Sequence, residues 1–223
     1  MKVFQLTAEP RTDLGKKATK ALRDENKIPA VLNGGELVDL PYAGTLKAGE
    51  KLVEIANGKG LITTDIVVSN EGVRKLIYTP EIFAVELSLN GEKKMAVLKD
   101  IQLHPVKDTI LHMDFLEVND KKPVVIEVPV KLEGHAEGVK VGGKLSLEMK
   151  KLKVNGIYTQ IPNRVEIDVT DLGLGKKLYV GAVEMAEGLK LMNPADACVA
   201  RVKATRASQQ AAAAAAPAKG KKK

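Results

Sequence analysis

The 223-residue sequence holds one cysteine, no tryptophan, three phenylalanines and four tyrosines. A lone Cys198 excludes an internal disulfide and a multi-cysteine metal site, and it fits a reducing compartment. It reads as a small buried hydrophobe rather than a reactive thiol. Aromatics at 3% leave no platform on which the bases of a loose single strand could stack, and the core has to come from Val, Ile, Leu and Ala. No run approaches the roughly 18 apolar residues of a membrane-spanning helix. The opening MKVFQLTAEPRTD meets Glu9 and Pro10 before any apolar stretch of signal-peptide length, so the expected location is the cytoplasm. What is present, 44% hydrophobic and 28% charged residues, is the balance of an ordinary globular protein of one or two domains.

The net charge of +7 suggests nucleic acid until it is partitioned along the chain. Residues 201–223 carry seven bases and no acid, which leaves 28 bases against 28 acids in the preceding 200 residues. Bulk charge therefore supports only a basic tail, and any nucleic-acid argument must rest on local clustering. The tail itself, 206–223, is an alanine run closed by Pro217 and lysines. Such a composition buries too little apolar surface to offset its ordering entropy, so disorder is expected. It either solubilises the chain or touches phosphates.

Short Val/Ile/Leu runs with period-two alternation dominate residues 123–203, as in VVIEVPVKL (124–132), KLKVNGIY (151–158), RVEIDV (164–169) and ACVARV (197–202). Gly- and Pro-bearing turns separate them, which predicts an antiparallel β domain over residues 119–205. The polar stretch Asn119–Lys122, closed by Pro123, is the natural hinge. The first domain, residues 1–118, mixes signals. VFQLTA (3–8), PAVLN (29–33) and ILHMDFLEV (110–118) predict strands, and IFAVELSLNG with KKMAVLKDIQL predicts a hairpin around Asn90 and Gly91. Gly15–Asn26 has helical composition, and Ser69 is placed to cap a second helix through Ile77 that Pro80 ends. The segment from Glu36 to Asp65, with Gly44, Gly49, Gly58 and Gly60, predicts an extended loop. The fold class expected is mainly β, a barrel or strongly curved sheet with two short helices, followed by a second β domain.

Two clusters could carry chemistry. At about 100° per residue, Lys16, Thr19, Lys20 and Arg23 share one helix face while Ala18, Ala21 and Leu22 share the other. With Arg11 in the preceding loop, residues 11–23 hold five bases against Asp13 alone. A phosphate backbone selects such clustering, because bound Lys and Arg release condensed counterions. Solvated amphipathic helices also carry lysines, so charge alone leaves both readings open. Gly15 could serve a close backbone approach or simply a turn.

The second cluster is Gln102, His104, His112 and Asp114. Residues two apart on a strand share a face, which pairs Gln102 with His104 and His112 with Asp114. Three readings compete: a metal or proton-relay centre, a structural His112–Asp114 pair, and hydrogen bonding to base edges or 2′-hydroxyls. The third histidine, His135, is in the other domain. No HExxH, G-x-S-x-G or phosphate-binding glycine loop occurs, so neither an enzyme, a cofactor nor a metal site is expected.

The run Arg11-Thr-Asp-Leu-Gly15-Lys-Lys-Ala-Thr-Lys20-Ala-Leu-Arg23, followed by Ile28-Pro-Ala-Val-Leu-Asn-Gly-Gly35, resembles the opening signature of the bacterial large-subunit ribosomal protein L twenty-five, or general stress protein CTC, family. Leu98-Lys-Asp-Ile-Gln102-Leu-His104-Pro105 and Ile110-Leu-His112-Met-Asp114-Phe115 are similar to its other signature. Pro129–Gly134, Gly138–Gly143 and Asp171–Gly175 match the long members that add a β domain. The sequence departs from the family pattern at Asn33, Ala21 and Leu103. The resemblance implies a six-stranded N-terminal barrel that docks on 5S ribosomal RNA within the 50S subunit, beside other ribosomal proteins. Carried over by motif, the RNA contacts fall on Arg11, Lys16, Thr19, Lys20, Gln102, His112 and Asp114, with Arg23 and His104 beside them. Two rivals stand: a free stress-response or chaperone-like protein-binding module, and a metal-dependent hydrolase using His104, His112 and Asp114.

Overall fold

The structure, a computed structural model, describes residues 1–34, 37–39, 42, 44–55, 59–120, 122–186 and 188–205. The tail over 206–223, where disorder is expected, lies outside them. By contact the chain divides into two compact units, Met1–Ile126 with Gly156–Asn163, and Glu127–Asn155 with Arg164 onward.

In the first unit, alternation in the sequence becomes alternation in burial. Strand β1 (Lys2–Pro10) buries Leu6 and Ala8 and exposes Gln5 and Thr7. Helix α1 (Lys16–Asp24) and β2 (Lys27–Asn33) follow, then β3 (Leu37–Asp39), β4 (Glu50–Ile55), β5 (Lys59–Ser69), helix α2 (Asn70–Ile77), β6 (Phe83–Leu89), β7 (Glu92–Leu103) and β8 (Ile110–Glu117). The strands pair in the order β1-β6-β7-β8-β2-β5. Ala8↔Val68, Glu9↔Val67 and Pro10↔Ile66 then join β5 to β1 and close a six-stranded barrel. The β1–β6 and β2–β8 pairs are parallel. Small Ala8, Ala30 and Ala96 interleave inside with Leu32, Leu87, Met113 and Phe115, the graded filling that a tapered barrel of this size needs.

Local signals account for the caps and turns. The Ser69 hydroxyl accepts from the Gly72 N–H at 3.2 Å and opens α2, whose Val73 and Leu76 pack into the core. Asn90 and Gly91 both have positive φ, 48° and 90°, the pair that a two-residue type I′ hairpin turn requires.

The segment expected as an extended loop is instead mostly strand. β5 runs for 11 residues: its C-terminal half lies between β2 and β1, and its N-terminal half continues between β3 and β4. Its glycines mark a turn, at Gly49, and a strand position paired on both sides, at Gly60. By contact the first unit extends to Ile126. The Val118 N–H donates to the Met95 carbonyl at 2.9 Å, and the later segment 156–163 returns, with the Asn163 side chain accepting from the Lys2 N–H at 3.2 Å.

The second unit comprises most of β9 (Val124–Glu133) with α3 (Glu137–Lys140), β10 (Lys144–Leu147), β11 (Lys151–Gly156), β12 (Val165–Asp168), β13 (Lys177–Tyr179), β14 (Lys190–Leu191) and β15 (Cys198–Lys203). Two sheets form, β12-β9-β11-β14 and β10-β15-β13. One pair departs from the antiparallel expectation: β9 and β12 run parallel, from Val130↔Val165 to Glu133↔Asp168. Cys198 is half-buried rather than buried, its thiol 3.4 Å from the Ala200 carbonyl that accepts from it. Hydrogen bonds from Lys203, Arg201 and Ser146 hold the Glu148 carboxyl below the usual carboxylate range and fasten β15 to the end of β10.

Phe115 is the largest fully buried side chain and has few aromatic neighbours to fill a gap. Phe115→Ala is expected to destabilise the barrel by about 3–5 kcal/mol. Native-state hydrogen exchange of the β5 and β8 amides measures this directly, and unchanged protection would show that the barrel core lies elsewhere.

Candidate nucleic-acid interface

Helix α1 starts without the usual devices. Its N-cap is Gly15, at φ 107° and ψ 175°, a conformation that disfavours any side chain, and no side chain caps the first turn. A Cβ there would meet nothing within 4 Å, so conformation rather than space demands the glycine. The first turn carries Lys16 and Lys17 and no acid. Cations at a helix N-terminus oppose the dipole, so this end combines the partial positive charge of free N–H groups with two ammonium groups. That arrangement costs the isolated helix stability and favours an incoming anion.

Among the side chains of α1 none is buried. Lys16, Lys17 and Lys20 are exposed, whereas Ala18 and Leu22 are half-buried on the opposite face. The Thr19 hydroxyl donates back toward the Gly15 and Lys16 carbonyls, at 2.8 and 3.0 Å, and keeps its lone pairs for another partner. Arg23 is exposed but also bonded within the fold. Its Nε and Nη2 both donate to the Leu111 carbonyl of β8, at 3.2 and 2.8 Å, and so fasten the helix to the barrel.

The loop before α1 is set by Asp65. Its carbonyl accepts from the Arg11 N–H at 2.9 Å and its N–H donates to the Gly49 carbonyl at 2.8 Å. Its carboxylate, nearly buried, pairs with Lys51 at 2.6 Å. Loss of Lys51 would leave that carboxylate buried without a counter-charge. The Arg11 Nε donates to the Asp13 carbonyl at 2.8 Å and stiffens the same loop.

On the barrel wall, Gln102 of β7 stands in register opposite His112 of β8. The His112 Nδ1 and the Asp114 Oδ1 are 3.0 Å apart, both side chains about a third exposed or less. With Nδ1–H donating to the carboxylate, the outer ring nitrogen, Nε2, is left for a partner. Asp100 lies opposite Asp114, so this wall carries carboxylates and an amide where the helix carries lysines. Such groups accept from amino and hydroxyl donors and repel phosphate.

His104 does not join this wall. The β7–β8 register shifts at Gln102/Leu103 and β7 ends at Leu103, so the two-residue rule fails there. The His104 Nδ1 instead accepts the Val106 and Lys107 N–H groups, each at 3.2 Å, inside its own turn. Among the described residues no group of three or more His, Cys, Asp and Glu is placed to hold a metal ion. The structure thus joins α1 to the Gln102–His112–Asp114 wall through Arg23, and separates His104 from it. Asp65 escaped sequence reasoning, although an acid inside an otherwise β-branched run, ITTDIVV, was a usable signal.

Comparison with known proteins bears on this geometry. The family profile for ribosomal L25p proteins matches residues 6–66 and 41–115, and that for the C-terminal domain of ribosomal protein TL5 matches residues 123–206. A large ribosomal subunit protein bL25 of Porphyromonas gingivalis is 53% identical over 213 residues, covering 95% of this chain and 98% of its own length. Those of Parabacteroides distasonis and Bacteroides fragilis are 51% and 46% identical, over 95% and 94% of this chain and 98% and 93% of their own lengths. The chain belongs to the bL25 family of large ribosomal subunit proteins. The relatives carry the name of a protein of the large ribosomal subunit. The first profile covers residues 6–115, most of the barrel and all nine candidate contact residues, whereas the second spans the β9–β15 region. Among the described residues no helix is long and apolar enough to cross a membrane.

Because α1 has no fully buried side chain, Arg23 carries much of its attachment. Arg23→Ala is expected to raise hydrogen-exchange rates of the α1 amides by about tenfold, on the order of 1.4 kcal/mol, with β5 and β8 unaffected. Equal protection in wild type and variant would remove Arg23 from this role.

Proposed function

We propose that this chain is a constituent of the large ribosomal subunit, ribosome-associated in the bacterial cytoplasm, that binds 5S ribosomal RNA through residues 1–118. One observation carries the reading: a cap-less cationic helix, wholly on the surface, is fastened beside a wall of amide, imidazole and carboxylate groups. The two halves suit two features of an RNA groove. Lys16, Lys20 and Arg11 meet phosphates, whose counterions they displace. Gln102, His112, Asp114 and Thr19 address 2′-hydroxyls and base edges, which the wide, shallow minor groove of RNA displays. Arg23 and His104 serve by holding the helix and the hairpin. The second domain, residues 119–205, then faces ribosomal neighbours.

The test is a titration of the full chain against 5S RNA and a length-matched duplex at several salt concentrations. Selective binding of 5S RNA is expected, and equal affinity for both would overturn the reading. Lys20→Glu places a negative charge on the phosphate-facing side and is expected to weaken 5S RNA binding by more than about fivefold, on the order of 1 kcal/mol. No change at fixed salt would remove α1 from the interface. Asp114→Ala is expected to narrow the difference between 5S RNA and the duplex while leaving duplex affinity intact, because a carboxylate adds nothing to phosphate attraction. Parallel losses on both RNAs would contradict that assignment.

A further inference from the structure

The hairpin joining β7 to β8 ends in an unusually fixed tip. The His104 N–H donates to the Thr109 carbonyl at 2.8 Å, and the Asp108 N–H donates to the His104 carbonyl at 3.0 Å. Val106 and Lys107 donate to the His104 imidazole, and Asp108 takes a left-handed φ of 51°. Four hydrogen bonds thus hold a six-residue loop. Beside exposed Lys107, Asp108 and Thr109, the tip presents apolar groups: Val106 is 83% exposed and Leu103, the last residue of β7, 49%, with Pro105 exposed between them. Single exposed hydrophobics are ordinary, but here three sit within four residues on a rigid projection.

We infer that this tip is an anchor for an apolar pocket on a neighbouring protein of the large subunit; the inference rests on the ribosomal reading above. Its local charges, Lys107 and Asp108, cancel, so the tip offers phosphate no net attraction. Valine, leucine and proline neither stack as aromatics do nor hydrogen-bond to riboses, which removes the usual ways of reading RNA. A pre-ordered apolar projection loses little entropy on docking, and central apolar anchors dominate protein interfaces. The position fits as well. Gln102 and His112 pair immediately before the tip, so an RNA lying on that pair leaves the tip projecting past its edge. His104 is a positioning residue in this scheme: it shapes the knob and touches no partner.

The experiment compares the full-length chain with Val106→Asp on isolated 5S RNA and on large subunits stripped of this protein. The expected result is affinity for 5S RNA within twofold of wild type and about tenfold weaker retention on subunits. His104→Ala is expected to lose retention likewise and His104→Asn to recover it, since an asparagine Oδ1 can accept the same two amides. A photoreactive side chain at position 106 is expected to crosslink to protein in the assembled subunit. Undiminished retention of Val106→Asp, an equal loss on isolated 5S RNA, or a crosslink to ribosomal RNA would each overturn the inference. A wild-type chain that fails to bind 5S RNA yet is retained on subunits through Val106 would instead sink the 5S reading and leave the anchor standing.

Discussion

The first unit depends on β5 finding partners along both of its edges for most of its length. From Ser69 back to Thr64 it lies against β2, with β1 on its other side, and from Thr64 to Lys59 it lies against β4 and β3. The handover occurs at Asp65, where one neighbouring segment ends and another begins. There the backbone groups of a single residue take one bond from Arg11 and give one to Gly49, so neither is left unpaired in a buried stretch. The same residue therefore closes the barrel and fixes the loop that leads into α1. Barrel geometry and the aim of the cationic helix are one constraint rather than two.

Much of this was legible in the amino-acid order. Alternation around Leu6 and Ala8, the Asn90–Gly91 turn, the Ser69 cap and the single cationic face of α1 are local signals, and the structure carries each of them. β5 was not, because burial on both sides erases alternation and leaves ITTDIVV without a period, while nearby glycines suggest a break. The register shift at Gln102/Leu103, which takes His104 off the barrel wall, is set by how two strands meet and has no signal in either one. Arg23 is another such case: its bond to Leu111 spans 88 residues. A basic residue on a basic face gives no sign in the sequence that it also fastens the helix to β8.

The division of labour across the candidate interface has a physical logic. Lysines on a surface helix act at a distance and tolerate imprecision, which suits steering toward a phosphate backbone. The Gln102, His112 and Asp114 groups act only within hydrogen-bond reach, and they stand on adjacent strands whose spacing the barrel holds fixed. On the proposed reading, discrimination sits on the rigid element and attraction on the lightly attached one. A site built the other way round would bind as strongly and recognise less.

The parallel pairing of β2 with β8 has a consequence for how the protein matures during synthesis. Ala30 meets Met113, and Leu32 meets Phe115, across more than 80 positions of chain. The basic segment that becomes α1 leaves the ribosome long before the strand that will clamp it exists, and its fastening carbonyl arrives only with Leu111. Contacts this distant in sequence form late and slowly. Until then the nascent chain offers positive charge without shape, and the shape-selective recognition proposed for it can begin only when the barrel shuts.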